Sequence, residues 1–268
     1  MKEDLLGIVL TSKSMLAYPG GKQRARKIIP PYFPKGIKEM VSPFCGGASL
    51  EILTASRGVR VHAYDLNGKV VNFWQCMTKS PQRVACSLHK HFPHNKQELA
   101  HEIANYDNTF CPFERAAAFW CIHRTSFGSM GFARVASYSS GKGAELTPTM
   151  FNRIKEFYNS NFTCGLASFE ESLAKHEDIF AYLDPPYHMK GAYYGVKGDL
   201  MNNFNHALLC EILRDRKTPW VLSYNNCDEI RNMYQGYRFE FPKWSYGMGT
   251  GLGVHKVAEC KEILIINE

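Results

Sequence analysis

The sequence has no apolar run that approaches the ~18 residues needed to span a bilayer. Its apolar patch Leu5–Leu10 is short and follows Glu3 and Asp4, which is not typical of a secretory signal. Cysteine occurs nine times, but there is no C-x-x-C pair, so the pattern indicates neither a disulfide framework nor a zinc site. We therefore expect a soluble protein whose thiols are mostly reduced.

The composition excludes a largely disordered chain, because 45% of the residues are hydrophobic and 13% are aromatic. Lys and Arg number 32 against 25 Asp and Glu, which gives a formal net charge of +7. A basic balance of this size fits a polyanionic partner without proving one. The length of 268 residues predicts one large domain or a core with a smaller insert.

Strand-like segments alternate with helical patterns along much of the chain. The predicted strands are Lys38–Phe44, Val59–Tyr64, Asp178–Asp184, Trp220–Tyr224, Tyr237–Phe241 and Glu262–Ile266. Apolar residues at helical spacing predict a helix after the first strand and another that ends before Pro219. This alternation is typical of an α/β protein with a mostly parallel sheet that helices cover on both faces.

The stretch from residue 68 to residue 147 has a different character. It is rich in helical patterns, for example over Phe113–Arg124, and continues into a loop dense in Gly, Ser and Arg over Thr125–Gly143. We therefore predict one sheet domain formed by residues 1–67 and 148–268. A helical insert at residues 68–147, with a basic loop at its tip, interrupts this domain.

The most informative motif is Asp184-Pro185-Pro186-Tyr187, which directly follows an apolar strand. A carboxylate at the carboxyl end of a strand lies where open α/β sheets bind ligands. The two prolines fix φ and remove backbone donors, so the segment presents acceptors, with an aromatic ring beside them. That combination suits a planar amino group, although Asp-Pro is also a common turn former.

A glycine-rich turn follows an earlier strand, in Pro43-Phe44-Cys45-Gly46-Gly47-Ala48-Ser49. Small residues before a helix allow a ligand to approach the backbone, and an acidic residue about 20 positions later can bind ribose hydroxyls. Asp65 has that spacing. A second Gly-Gly pair occurs in Tyr18-Pro19-Gly20-Gly21-Lys22, before a helix predicted over Arg24–Ile29. Together these features indicate a nucleoside-bearing cofactor beside a site for an aromatic amine.

In this order, the motifs resemble those of the Dam-like, D12-class (alpha group) DNA adenine-N6 methyltransferases. The family has a Gly-Gly-Lys box, a Phe-x-Gly-Gly turn, an Asp-hydrophobic-Asn stretch, a target-recognition insert and Asp-Pro-Pro-Tyr. The matching segments here are Tyr18–Lys22, Phe44–Gly47, Asp65–Asn67, the insert and Asp184–Tyr187. The resemblance implies a Rossmann-like S-adenosylmethionine-dependent methyltransferase sheet with an inserted helical target-recognition domain.

The resemblance also implies roles for individual residues. S-adenosylmethionine would be bound by Tyr18, Lys22, Phe44, Gly46, Gly47, Asp65, Phe169 and Asp184. The target adenine would be flipped out of double-stranded DNA into a catalytic pocket formed by Asp184, Pro185, Pro186 and Tyr187, at a cost of a few kcal/mol. Its amino group would donate to the Asp184 carboxylate and the Pro185 carbonyl, and no covalent enzyme intermediate is needed.

The insert would read the DNA through a loop that resembles the family's recognition hairpin. The candidate residues are Arg124, Phe127, Ser129, Met130 and Arg134. Members that read GATC carry Tyr-Asn-Gly-Leu-x-Arg, whereas this chain has Ser-Met-Gly-Phe-Ala-Arg. The resemblance therefore does not fix the target, and GATC, another site and relaxed specificity stay open. A solvated basic loop that contacts only phosphates is the alternative interpretation.

Several alternatives share these motifs. A cytosine-N4 or an RNA adenine methyltransferase would present an amino group to the same acceptors, and a DNA-binding protein without catalysis is a further hypothesis. The three histidines in His89–His94 lack a patterned partner, so we expect no metal. The remaining expectations are a cytoplasmic protein of a bacterial cell or a phage-infected host, without membrane attachment, monomeric in solution and dimeric, if at all, on DNA.

Overall fold

A computed structural model describes residues 9–133, 138, 145–188, 204–242, 245–246, 258–259 and 262–268. Its strands are β1 (Glu39–Ser42), β2 (Arg60–Asp65), β3 (Phe162–Leu166), β4 (Phe180–Leu183), β5 (Trp220–Asn225), β6 (Arg238–Glu240), β7 (Ser245–Tyr246), β8 (Ala258–Glu259) and β9 (Glu262–Asn267). Its α-helices are α1 (Ser49–Ala55), α2 (Gly68–Lys79), α3 (Pro81–His91), α4 (Lys96–Asn105), α5 (Pro112–Thr125), α6 (Pro148–Lys155), α7 (Phe169–Lys175), α8 (His206–Asp215) and α9 (Asp228–Met233). Short 3-10 helices span Pro30–Tyr32, Tyr106–Asn108, Phe127–Ser129 and Gly131–Ala133.

A seven-stranded sheet in the order β3-β2-β1-β4-β5-β9-β6 forms the centre of the described structure. The strands from β3 to β5 are parallel, whereas β9 runs antiparallel to both β5 and β6. β7 and β8 form a separate antiparallel pair. The predicted α/β class with a mostly parallel sheet is confirmed.

Alternating residues of the strands pack into two apolar cores on opposite faces of the sheet. In β1, Met40 belongs to the core that contains residues of α1, α2, α3, α5 and α6. Its neighbour Val41 belongs to the core that contains residues of α7, α8 and α9. Successive side chains of a strand point to opposite faces, so one apolar run supplies both cores.

The helices of the predicted insert share an apolar core with the sheet. Phe73 and Trp74 of α2 pack in the same core as Val61 of β2, and they are fully buried. Asn67 caps the N-terminus of α2, since its side chain accepts a hydrogen bond from the Lys69 N–H, and the helix packs on β3. The division of the chain at residues 67 and 148 stays a prediction.

Two local features differ from the expectations. The helix predicted over Arg24–Ile29 is wrong: the segment forms consecutive turns, with the Ile28 and Ile29 N–H groups both donating to the Ala25 carbonyl. Pro30 and Pro31 follow and have no N–H with which to extend such bonds. Strand β3 was not predicted.

Among the helices that the structure describes, none has both the length and the apolar character required to cross a membrane. This finding concerns the described part of the chain, and the predicted location stays a prediction.

Candidate active site

A cavity of about 450 Å³ lies at the carboxyl ends of the parallel strands. The loops after β1, β2 and β4 converge there, as expected at the carboxyl edge of an open α/β sheet. All of the predicted cofactor residues line the cavity: Tyr18, Lys22, Phe44, Gly46, Gly47, Asp65, Phe169 and Asp184. Of the predicted catalytic segment, Asp184 and Pro186 are among the lining residues.

The glycine turn after β1 is shaped by close contact with Tyr18. Gly46 has a φ of +43°, and a Cβ on it would lie 3.0 Å from Cδ1 of the Tyr18 ring. A Cβ on Gly47 would lie 3.1 Å from the Tyr18 Cβ. Trp74 of α2 donates from Nε1 to the Gly46 carbonyl at 2.9 Å, which anchors the turn. The positive φ and the close ring favour glycine at position 46, and a side chain at position 47 would require Tyr18 to shift.

The Asp65 carboxylate connects the end of β2 to this turn. Its Oδ2 accepts from the Gly46 N–H and its Oδ1 from the Asn67 N–H, each at 2.8 Å. Burial raises the pKa of Asp65 to about 6, and these two backbone hydrogen bonds oppose that rise. Each carboxylate oxygen has a second lone pair, so Asp65 can still accept a hydrogen bond from a ligand in the cavity.

The Asp184 carboxylate is fixed by two donors from distant parts of the chain. Lys22 Nζ lies 2.7 Å from Asp184 Oδ1, and the Ser223 hydroxyl donates to the same oxygen at 2.8 Å. Lys22 also donates to the Tyr187 hydroxyl at 2.9 Å and lies 3.8 Å from the buried carboxylate of Glu262. Asp184 Oδ1 is therefore engaged from two sides while its side chain keeps 18% exposure.

Three aromatic rings form one wall of the cavity. Phe44 and Phe169 have ring centroids 5.8 Å apart, and Phe204 lies 5.5 Å from Phe44 and 5.3 Å from Phe169. Phe169 opens α7, where Ser168 and Glu171 form a reciprocal capping box. Phe204 was not predicted as a site residue, because its neighbourhood in the sequence carries no motif.

Glu51 is a further residue that the sequence analysis missed. It lies in the first turn of α1, lines the cavity and is 3% exposed. The Ser42 hydroxyl donates to its Oε1 at 2.7 Å. Burial raises the pKa of Glu51 to about 7, and the negative charge of Asp184 also raises it, whereas the hydrogen bonds from Ser42 and from the N–H groups of Glu51 and Leu50 oppose the rise.

Helix α5 links the cavity to the predicted DNA-reading loop. Its Trp120 donates from Nε1 to the Met15 carbonyl at 2.9 Å, and the ring of His123 lies 5.2 Å from that of Tyr18. The His123 imidazole contacts the Ser129 carbonyl at 2.9 Å through Nδ1. Burial lowers the pKa of His123 to about 4, so the ring is neutral at physiological pH.

The predicted DNA-reading residues follow one another in sequence from the carboxyl end of α5, and Arg124, Ser129 and Met130 do not line the cavity. Arg124 is half-buried, Ser129 has a φ of +57°, and Met130 is only 9% exposed. Phe127 begins a 3-10 helix, and Arg134 lies outside the described residues. Their roles in reading DNA stay predictions.

One group of metal-capable side chains occurs within the described ranges, formed by His188, Cys227 and Glu229. Its ligand atoms lie within 4.8 Å of one another. His188 and Glu229 are exposed, and we assign no ion to the group. Of the histidines considered in the sequence analysis, His91 is engaged with Glu102 at 2.9 Å.

Comparison with known proteins agrees with the motif order. The family model described as D12 class N6 adenine-specific DNA methyltransferase matches residues 18–248. The chain is also similar to the solved structure of a precorrin-6y C5,15-methyltransferase from Geobacter metallireducens GS-15, with 10% identity, 96% of this chain and 98% of that chain covered and a TM-score of 0.41. That likeness is too distant to support a functional argument. The family match spans most of the chain, including every segment that lines the cavity, and the protein therefore belongs to the D12 class N6 adenine-specific DNA methyltransferases.

Proposed function

We propose that this protein binds S-adenosylmethionine in the cavity and methylates the N6 amino group of an adenine that is flipped out of double-stranded DNA. The observation that carries the proposal is the arrangement of Asp184, which lines the cavity, with Lys22 and Ser223 both bound to its Oδ1. Because both donors bind Oδ1, the other carboxylate oxygen keeps acceptor capacity for a ligand. A planar amino group needs such an acceptor.

The charge of the cavity fits this cofactor. Among the described lining residues, Lys22 is the sole Lys or Arg, whereas Glu51, Asp65, Glu170 and Asp184 are acidic. Four carboxylates against one cation favour a ligand with positive groups, and S-adenosylmethionine carries a sulfonium and an ammonium. The volume of about 450 Å³ lies in the usual range for small-molecule sites.

Each side of the cavity suits one part of the ligand. The rings of Phe44, Phe169 and Phe204 offer apolar faces for the adenine ring, and Asp65 offers acceptor capacity for the ribose hydroxyls. Tyr18, packed on the glycine turn, closes the cavity on another side. When bound, S-adenosylmethionine supplies an electrophilic methyl group on its sulfonium.

We assign the acceptor role to the segment that follows β4. The Asp184 carboxylate and the Pro185 carbonyl accept the two N6–H bonds, which makes the nitrogen lone pair available, and Pro186 keeps the segment rigid. The Tyr187 ring stacks on the flipped base, and the hydrogen bond from Lys22 to its hydroxyl at 2.9 Å holds the ring in place. Alignment of the nitrogen with the methyl group supplies much of the rate enhancement.

For DNA recognition, we propose that the loop after α5 reads a site other than GATC or reads its site with relaxed specificity. Ser129 and Met130 stand where GATC-reading members carry Tyr and Asn. Met130 is largely buried, and the Ser129 carbonyl is engaged with His123. These two positions therefore offer few groups for direct hydrogen bonding to base edges, while Arg124 and Arg134 retain the guanidinium groups that suit guanine or phosphate.

The test is methyl transfer from labelled S-adenosylmethionine to unmethylated genomic DNA, followed by nucleoside mass analysis and sequencing of the modified positions. We expect N6-methyladenine, in a sequence context broader than GATC or different from it. Strict GATC methylation would contradict the specificity proposal alone. N4-methylcytosine, or label only in RNA, would contradict the acceptor assignment, and cofactor binding without any transfer would favour a non-catalytic DNA-binding protein.

A further inference from the structure

We propose that Glu51 is the anionic partner of the ammonium group of the bound cofactor, and that cofactor binding is coupled to ionisation of this carboxyl group. The inference rests on the proposed function, because it requires S-adenosylmethionine to occupy this cavity. It assigns a role to a residue that no motif in the sequence indicates.

The position of Glu51 is that of a ligand-binding group. It follows the glycine turn directly, lines the cavity and is 3% exposed. Its hydrogen bond from Ser42 occupies Oε1, and Ser42 is itself fully buried at the end of β1. A neutral hydroxyl orients the carboxylate but does not neutralise its charge.

Within the described part of the chain, no Lys, Arg or His forms an ion pair with Glu51. Lys22, the one Lys or Arg among the described lining residues, is bound to Asp184 at 2.7 Å. A buried carboxylate without a cationic partner is costly, and it becomes favourable when a cation arrives. Glu51 thus provides a buried carboxyl group whose ionised form a cationic group of a ligand would stabilise.

Besides the backbone N–H groups of Leu50 and of Glu51 itself, which donate to the carboxylate, side chains from three elements interact electrostatically with Glu51. They are Ser42 at the end of β1, Cys45 in the glycine turn, and Tyr182 and Asp184 on β4 and just after it. None of these is a cation, and Asp184 opposes ionisation. Burial raises the pKa of Glu51 to about 7, so in the ligand-free chain the carboxyl is near half-protonation at neutral pH.

The cofactor has two positive groups, and the chemistry of the site distinguishes them. An ammonium carries three N–H donors that can satisfy a carboxylate oxygen, whereas a sulfonium has none. The Ser42 hydroxyl and the N–H groups of Leu50 and Glu51 orient this carboxylate, and its remaining lone pairs can still accept from a charged donor. The ammonium is therefore the better partner, and its arrival favours the ionised carboxyl group.

The affinity for the cofactor should depend on pH through the ionisation of Glu51. Binding of a cation lowers the pKa of the carboxyl in the complex, so a proton is released when the cofactor binds at or below neutral pH. Affinity therefore rises as the pH increases toward about 7 and levels off above it.

The test compares three ligands by titration calorimetry on the full chain: S-adenosylmethionine, S-adenosylhomocysteine and 5′-methylthioadenosine, which lacks the amino-acid part. We expect Glu51→Gln to weaken the first two by about tenfold to a hundredfold at a pH above 7, since a charged hydrogen bond is lost. The third ligand should bind within about twofold of its original affinity. The control is Glu39→Gln at the opposite end of β1, outside the cavity, which should bind all three ligands normally.

A second measurement needs no variant. With the unaltered chain, titration of S-adenosylhomocysteine in two buffers of different ionisation enthalpy should reveal proton release near neutral pH, and Glu51→Gln should abolish that release. Equal weakening of all three ligands, weakening of S-adenosylmethionine alone, or unchanged affinity would each overturn the assignment to the ammonium. Failure of the unaltered chain to bind any of them would overturn the proposed cofactor itself.

Discussion

Substitution of Ser223 by alanine tests whether orientation of the Asp184 carboxylate matters for catalysis. Ser223 is fully buried in β5, and its hydroxyl donates to Asp184 Oδ1 at 2.8 Å and lies 3.1 Å from the Tyr182 hydroxyl. A hydrogen bond to a charged group contributes about 1.5–3 kcal/mol, equivalent to about tenfold to a hundredfold in rate if it were needed only in the transition state. Lys22 still binds the same oxygen in the variant. We therefore expect a loss at the lower end of this range, a decrease of about tenfold in kcat.

The assay is single-turnover methyl transfer to unmethylated DNA at saturating cofactor, with cofactor affinity measured separately. Ser223→Ala should leave that affinity within about twofold, because Ser223 does not line the cavity. The matched control is Ser56→Ala, which removes a serine hydrogen bond to the Leu53 carbonyl at the far end of α1 and should not change kcat. An unchanged rate in Ser223→Ala, or an equal loss in both variants, would refute the positioning role.

Three further predictions follow from particular contacts. Gly131→Ala would place a Cβ 2.4 Å from the His123 ring at a φ of +52°, so we expect DNA affinity to fall by at least about tenfold in an anisotropy assay, with cofactor affinity retained. Gly46→Ala would place a Cβ 3.0 Å from the Tyr18 ring at a φ of +43°. We expect this change to weaken S-adenosylmethionine binding by at least about tenfold in calorimetry, and normal binding would show that the turn adapts. Because the folded state raises the pKa of Glu51 from 4.5 to about 7, Glu51 should contribute a decrease of about 3 kcal/mol to the free energy of unfolding of the ligand-free chain as the pH rises through this interval, in addition to the decrease that Asp65 contributes. Glu51→Gln should flatten that decrease in denaturant titrations, and an identical slope in both proteins would contradict the assignment.

The parts of the fold that the sequence predicts are those with strong local signals. The apolar runs that end at Asp65 and Asp184 mark β2 and β4, and the turns after them carry motifs with a mechanistic meaning. Because the carboxyl ends of parallel strands meet at one edge, these motifs could be placed in one cavity before the structure was known.

The features that were missed depend on contacts between distant segments. Strand β3 contains Gly165, where a Cβ would lie 2.9 Å from the Tyr64 ring, so glycine is required by a neighbouring strand rather than by its own strand propensity. Glu51 looks like an ordinary polar residue in a short helix, and only its burial beside Ser42 reveals a charged site. Ser223 lies within a buried strand, and its partner Asp184 is 39 residues away in sequence.

The most direct test of the central claim is methyl transfer by an Asp184→Asn variant, compared with the unaltered chain on the same unmethylated DNA. Asparagine keeps the shape of the side chain but removes the negative charge of the carboxylate. We assign to that carboxylate the role of accepting a hydrogen bond from the N6 amino group. We predict that the unaltered chain forms N6-methyladenine and that the variant loses at least about a hundredfold in single-turnover rate at saturating cofactor, while DNA still binds. An undiminished rate of N6-methyladenine formation by Asp184→Asn would contradict the account.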